Sequence, residues 1–286
     1  MLTLALGAVV VSAAPILVKA LSQQGLGPTV IAMWRCLLGA LFVGSLARLM
    51  SIRLTVPRTV MGLLVVAGLA FALDLWVWHR SIVLAGAGMA TILASTQVFL
   101  TAILSALFFR EPLTARFLIT ATGAMIGVTL LVGVGSDVRF TPDYLKGIGY
   151  GLATGVFYSV FLVTLRTAGR RSKDLSGLVT LTWFSLYAAV FLLGTVAIET
   201  EPVLPRGWVA WLLVVTLALV AQSLGWWTIS RSLPRVEGAV GGLVLLLQPA
   251  LATIWGALFF RETLEPLQIL GVLITLGAVY LGSMKA

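Results

Sequence analysis

Charge is what this 286-residue chain is short of: Asp, Glu, Lys and Arg make up 10% of it, against about 25% in soluble domains. So small a polar complement cannot cover a globular surface, and an ordinary soluble domain is excluded. There is one cysteine, Cys36, so an intramolecular disulfide is excluded and a thiolate metal cluster has no ligands. With one histidine, His79, the usual metal-ligand spacings are missing too, and no metal or cofactor is expected. No Walker motif or nucleophile–base pair is present, which argues against an enzyme and against ATP-driven work by this chain alone. What the chain has in abundance is apolar residues: 60% of the sequence, with a mean hydropathy of +1.08. Lipid is its solvent.

Apolar runs bounded by charges, Pro or Gly predict ten membrane spans, at 2–21, 29–50, 59–79, 86–108, 115–134, 146–168, 176–198, 207–229, 237–259 and 266–284. The first run lacks a basic leader region; although Ser12-Ala13-Ala14 resembles a cleavage site, the run reads as a span. The formal charge of +9 is spread over short loops without forming a patch, so a membrane surface is the expected partner and nucleic acid is not. With the N-terminus in the cytoplasm, twelve Lys and Arg fall in inside loops and six outside, which predicts that both termini are cytoplasmic. Gly147, Gly151 and Gly155, and Gly123 and Gly127, recur every four residues and predict close helix contacts. A monomer is the expected unit, and a dimer interface on such a stripe is the alternative.

The chain also repeats itself. Arg80-Ser81, Gln97 and Ala106-Leu-Phe-Phe-Arg-Glu111 recur as Arg231-Ser232, Gln248 and Ala257-Leu-Phe-Phe-Arg-Glu262, at a constant offset of 151. A duplicated five-span unit inserts its copies in opposite orientations. The expected fold is therefore all-α and polytopic: ten transmembrane helices in two inverted five-helix repeats around a central cavity. The first repeat is placed at 1–134, a connecting loop at 135–145 and the second repeat at 146–286.

The tandem halves, the Leu-Phe-Phe-Arg-Glu ends of the fourth and ninth spans, Gln97, Pro249 and the segment Phe71–Ser81 resemble the EamA-type ten-helix members of the drug/metabolite transporter superfamily. The resemblance covers the whole chain. It implies a bacterial inner-membrane transporter, most often an exporter, of amino acids, related metabolites or drugs. Where the family carries a proline in the fourth span this chain has Val98, which predicts halves of unequal backbone flexibility.

Asp74 is the sharpest site candidate. An ionisable group inside a span costs roughly 2.5–3.5 kcal/mol on insertion scales unless it is paired or wet. Arg35 in the second span is its predicted partner, so Asp74 reads either as a substrate or proton-coupling group or as half of a structural clamp. His79 is read as a proton carrier or as an interfacial packing residue. Trp78, Trp183, Trp226 and Trp255 are candidates to line a pocket, with core packing as the alternative. Gln97 and Gln248 are expected to face the cavity from symmetry-related sides. Pro15 and Pro249 interrupt helix hydrogen bonding and are gating candidates. The sequence thus reads as a secondary transporter, an exporter of small metabolites such as amino acids working by alternating access. A proton-coupled multidrug exporter and an uncoupled facilitator are the alternatives.

Overall fold

The computed structural model describes residues 1–85, 87–132, 141–172, 175–199, 202–260 and 265–284. Among them nine helices are long and apolar enough to cross a membrane, and Ala115–Leu130 is a shorter apolar helix at the fifth expected position. The helices are α1 (Leu2–Val11), α2 (Ala14–Gln23), α3 (Pro28–Leu49), α4 (Arg58–Ala85), α5 (Ala87–Ser95), α6 (Gln97–Phe109), α7 (Ala115–Val132), α8 (Pro142–Arg171), α9 (Gly177–Glu199), α10 (Gly207–Leu217), α11 (Trp226–Ser232), α12 (Gly238–Val244), α13 (Leu247–Phe260) and α14 (Pro266–Ser283). Arg139, Lys173, Arg261, Glu262 and Lys285, used in the charge and repeat arguments, lie outside the described residues.

There are more helices than spans because four spans are broken. The first divides at Ser12 and Ala13, just before Pro15, whose ring nitrogen cannot donate to the preceding turn; the Ser12 hydroxyl donates to the Val9 carbonyl instead. The ninth divides at Leu245 and Leu246, ahead of Pro249. The fourth divides at Thr96 although Val98 replaces the proline, because Ser95 and Thr96 donate back to the carbonyls of Thr91 and Leu93. Both spans are thus interrupted, the fourth at hydroxyl-bonded residues and the ninth ahead of an imide. The eighth span passes through a π-helical stretch, Ala218–Gly225, between α10 and α11. π-Helical turns are frequent at functional sites because each widens the turn and re-aims its side chains.

Helix pairing crosses from one half to the other. α3 packs along α9, α7 along α14, α4 along α8, and α1 along α11 and the π-helical stretch. Exchanging the halves turns the second–seventh and fifth–tenth span pairs into themselves and the third–sixth pair into the eighth–first. This pattern is consistent with an inverted repeat. The glycine stripes make these contacts close: a Cβ at Gly147 would lie 2.8 Å from Ala85, and one at Gly127 would lie 2.8 Å from the Gly271 carbonyl and the Thr275 amide. Both stripes are used inside the chain. Replacing Gly127 by Val should overpack the α7–α14 seam by about 1–3 kcal/mol. A thermal-unfolding midpoint in detergent equal to wild type would show that the seam yields freely.

α4 runs to Ala85, past the expected end of its span at 79, and α8 starts at Pro142 and runs to Arg171. Arg80 stays helical because its charge is satisfied on α9. As a result Asp74 and His79 lie farther from the end of their helix than the hydropathy pattern placed them. In this state the bundle is closed at its centre, where Phe71, Phe161, Phe184 and Trp226 are no more than 2% exposed.

Candidate functional site

A layer of polar groups crosses that apolar centre. Arg35 on α3 (6% exposed) donates from Nε to Gln222 Oε1 at 3.0 Å. Gln222, in the π-helical stretch, passes a hydrogen bond from Nε2 to Ser185 Oγ on α9 at 2.8 Å. This chain fixes the amide orientation and ties three helices together. Gly39 on α3 makes room for it, since a Cβ there would lie 3.1 Å from Gln222 Cβ. Arg35 also faces the Phe71 ring, 5.8 Å from its centroid.

Asp74 on α4 is 8% exposed and, among the described residues, forms no hydrogen bond and no ion pair within 4.0 Å. The expected Arg35–Asp74 salt bridge is therefore absent among the described residues, and the Arg35 Nε is directed to Gln222 instead. Tyr158 on α8 packs at the same centre, its ring 6.2 Å from those of Phe161 and Trp226. Gln248 Nε2 donates to the Tyr158 hydroxyl at 3.4 Å, bringing the ninth span to the same place. Among the described residues, the side-chain polar atoms that are both sealed and unpartnered are His79 Nδ1, Ser105 Oγ, Arg166 Nε and Trp226 Nε1. Among the described residues the Asp74 carboxylate and the Arg35 terminal amino groups have no hydrogen-bond partner either. A carboxyl and a guanidinium that are not bridged to each other can together hold a ligand of mixed charge.

The other sequence candidates distribute unevenly. His79 is buried within the bundle, at 6% exposure, with its ring 5.3 Å from that of Trp78, which is half-buried. Trp226 belongs to the centre: its ring lies 5.0–5.2 Å from Phe161 and Phe71. Trp183 does not, because its indole donates to the Leu54 carbonyl and it lines an open cavity of about 620 Å³ with Arg48 and Arg53 at one end of the bundle. Trp255 is half-buried and donates to Ser12 Oγ, joining α13 to the break in the first span. Gln97 is used up by structure: it donates to the Gly242 carbonyl at 3.0 Å and accepts from Thr101 at 3.1 Å. Gln97 and Gln248 thus occupy matching sequence positions with unlike surroundings, Gln97 buried at 2% and Gln248 half-buried. Pro15 and Pro249 mark the breaks already described. Gln222, Ser185 and Tyr158 were missed by sequence reasoning. A lone glutamine in the apolar run 207–229 was the one signal available.

Charged clusters stand at both ends of the layer. At one end Glu111, just past α6, receives two hydrogen bonds from Arg166 (2.9 and 2.5 Å), one from Arg170 (3.3 Å) and one from the Gly238 amide (2.8 Å). Phe109 lies under both guanidinium groups, 4.5 and 4.7 Å from its centroid. Burial alone would raise the Glu111 pKa, but the Arg166 and Gly238 hydrogen bonds and the two arginine charges outweigh it and hold the carboxyl below its ordinary 4.5. The cluster's contribution to stability is therefore complete above the ordinary value and is lost only as pH falls through the lower folded value. At the opposite end Glu199, closing α9, pairs with Arg80 and accepts from Trp76 Nε1 at 2.8 Å and from Thr29 Oγ1 at 2.9 Å. The Arg80 guanidinium covers the Trp76 ring at 3.7 Å.

Comparison with known proteins agrees with this architecture. A crystal structure superposes with a TM-score of 0.83 at 19% identity, covering 98% of this chain and 95% of its own, which shows the fold. The threonine/homoserine exporter RhtA of Escherichia coli K12 is 27% identical over 161 residues, 56% of this chain and 51% of RhtA. RhtA of Salmonella typhimurium LT2 is 27% identical over 149 residues, 52% of this chain and 48% of its own length. The chain thus spans about half the length of the curated relatives it matches. The model of the EamA-like transporter family matches residues 1–133 and again 145–284. This multi-pass membrane protein is a transporter and not an enzyme, and it belongs to the EamA-like transporter family.

Proposed function

We propose that the protein exports small metabolites such as amino acids across the bacterial inner membrane by alternating access, with both termini cytoplasmic. The observation that carries this reading is the unbridged pair of Asp74 and Arg35 in the closed centre. An amino acid carries both charges, and this pair offers a counter-charge to each: Asp74 to the ammonium, Arg35 to the carboxylate. The relatives named as threonine/homoserine exporters support the same substrate class. The chain works without a cofactor; its partners are the substrate and lipid, and it acts as a monomer of two five-helix units.

The test is a panel of amino acids screened for stabilisation of the purified protein, followed by flux of the stabilising compounds in liposomes with and without a pH gradient. Stabilisation by zwitterions, lost when either charge of the compound is blocked, supports the reading. Stabilisation by hydrophobic cations alone would move the assignment to multidrug export, and flux indifferent to the pH gradient would remove proton coupling. Orientation has its own check. Cysteines placed at Thr55 and Leu204, in the loops after α3 and before α10, should be labelled by an impermeant reagent from the cytoplasm and from outside, respectively. Val138, which the charge pattern also places outside, lies beyond the described residues. Labelling of Thr55 from outside would reverse the topology.

A further inference from the structure

Both charged clusters are built across the boundary between the halves. Glu111 belongs to the first half, and Arg166, Arg170 and Gly238, which hold it, belong to the second. Glu199 belongs to the second half, and Arg80, Trp76 and Thr29, which hold it, belong to the first. Trp34 adds a further contact at that end, donating to the Val203 carbonyl at 2.7 Å. The directions of the helices place the two clusters on opposite faces of the membrane, with the Arg35–Gln222–Ser185 chain and Asp74 between them. A rocking motion of one half against the other must separate one cluster and can leave the other intact.

We propose that Glu111 and Glu199 are the gating carboxylates of the two faces, and that the structure is the occluded state in which both are closed. This rests on the alternating-access reading. The Glu111 gate is the tighter. Arg166 is 1% exposed, its Nε has no partner, and a Cβ on Gly238 would overlap Ser105 Oγ and come within 3.2 Å of Arg166 Nη1. That space admits only glycine while the gate is shut. The Glu199 gate has no arginine as deeply buried as Arg166: its Arg80 and Glu199 side chains are 27% and 18% exposed. Arg80, Trp76 and Thr29 converge on one carboxylate, so neutralising Glu199 weakens all three contacts and leaves the Trp34–Val203 hydrogen bond.

The test uses the full chain with Cys36→Ser and a reporter, Gln248→Cys, labelled by an impermeant maleimide in vesicles of each orientation. Glu111→Gln should raise the labelling rate about tenfold or more from the Glu111 face and leave the other face unchanged. Glu199→Gln should do the reverse. Arg170→Gln and Arg80→Gln, which keep other contacts of each cluster, should act in the same directions with smaller effect and serve where a glutamate variant does not fold. Equal rates in variants and wild type, or acceleration on both faces at once, would overturn the proposal and assign the clusters to folding alone. Substrate flux in the Cys36→Ser protein is measured separately. Its absence, with face-specific labelling intact, would sink the transport reading and leave the gates standing.

Discussion

Replacing Asp74 by Asn is expected to abolish net transport while the protein remains folded and stable. The substitution keeps the shape and removes the charge. No hydrogen bond or ion pair within 4.0 Å is broken among the described residues, so the scaffold has nothing to lose there. Arg35 keeps its bond to Gln222, and Gln222 keeps Ser185. What disappears is the counter-charge for a bound ammonium, or the site of an exchanged proton. Flux in liposomes, beside a melting curve of the same preparation, separates the outcomes. Wild-type flux would remove Asp74 from the mechanism. Collapse of the fold, rescued by also neutralising Arg35, would make the pair a structural clamp.

The largest effect on stability is expected at Arg166. Its guanidinium is buried, bonded twice to Glu111 and stacked on Phe109. Arg166→Met fills much of the same volume but leaves Glu111 to Arg170 and the Gly238 amide alone. Breaking a buried pair so that one charge is left unpaired costs about 3–5 kcal/mol, and the partners Glu111 keeps hold the loss below that. The unfolding midpoint in detergent should fall accordingly, and adding Glu111→Gln should recover part of the loss, since it removes a charge that has lost its main partner. No recovery in the double variant would mean that Arg166 acts through packing rather than charge.

The fold was legible because lipid enforces it: each backbone group must be satisfied within its own helix, so apolar run length translates directly into spans. The offset of 151 was legible because a duplication leaves residues such as Gln97 and Gln248 in register. Asp74 and Arg35 stood out because a charge inside a span is costly, but their relation was not readable. The sequence could not show that α4 continues to Ala85, or that a π-helical stretch delivers Gln222 to Arg35. Trp183 resembled Trp226 in hydropathic context, yet one binds a loop carbonyl at the bundle end and the other fills the centre. Arg166 was counted as an ordinary inside charge. Only the fold shows that it turns inward to meet Glu111, whose place in the Leu-Phe-Phe-Arg-Glu motif marked the family but not this contact.

The central claim is a closed midplane site that opens to one face at a time, and trans-stimulation tests it most directly. Liposomes holding the protein are loaded with an unlabelled amino acid that stabilises it, and entry of the labelled compound is timed against empty vesicles. Alternating access predicts faster entry into loaded vesicles in the wild type, because a loaded carrier returns occupied, and loss of both rates in Asp74→Asn. Saturable entry indifferent to the internal compound, or entry that scales linearly with concentration, would contradict it and leave a facilitating pore.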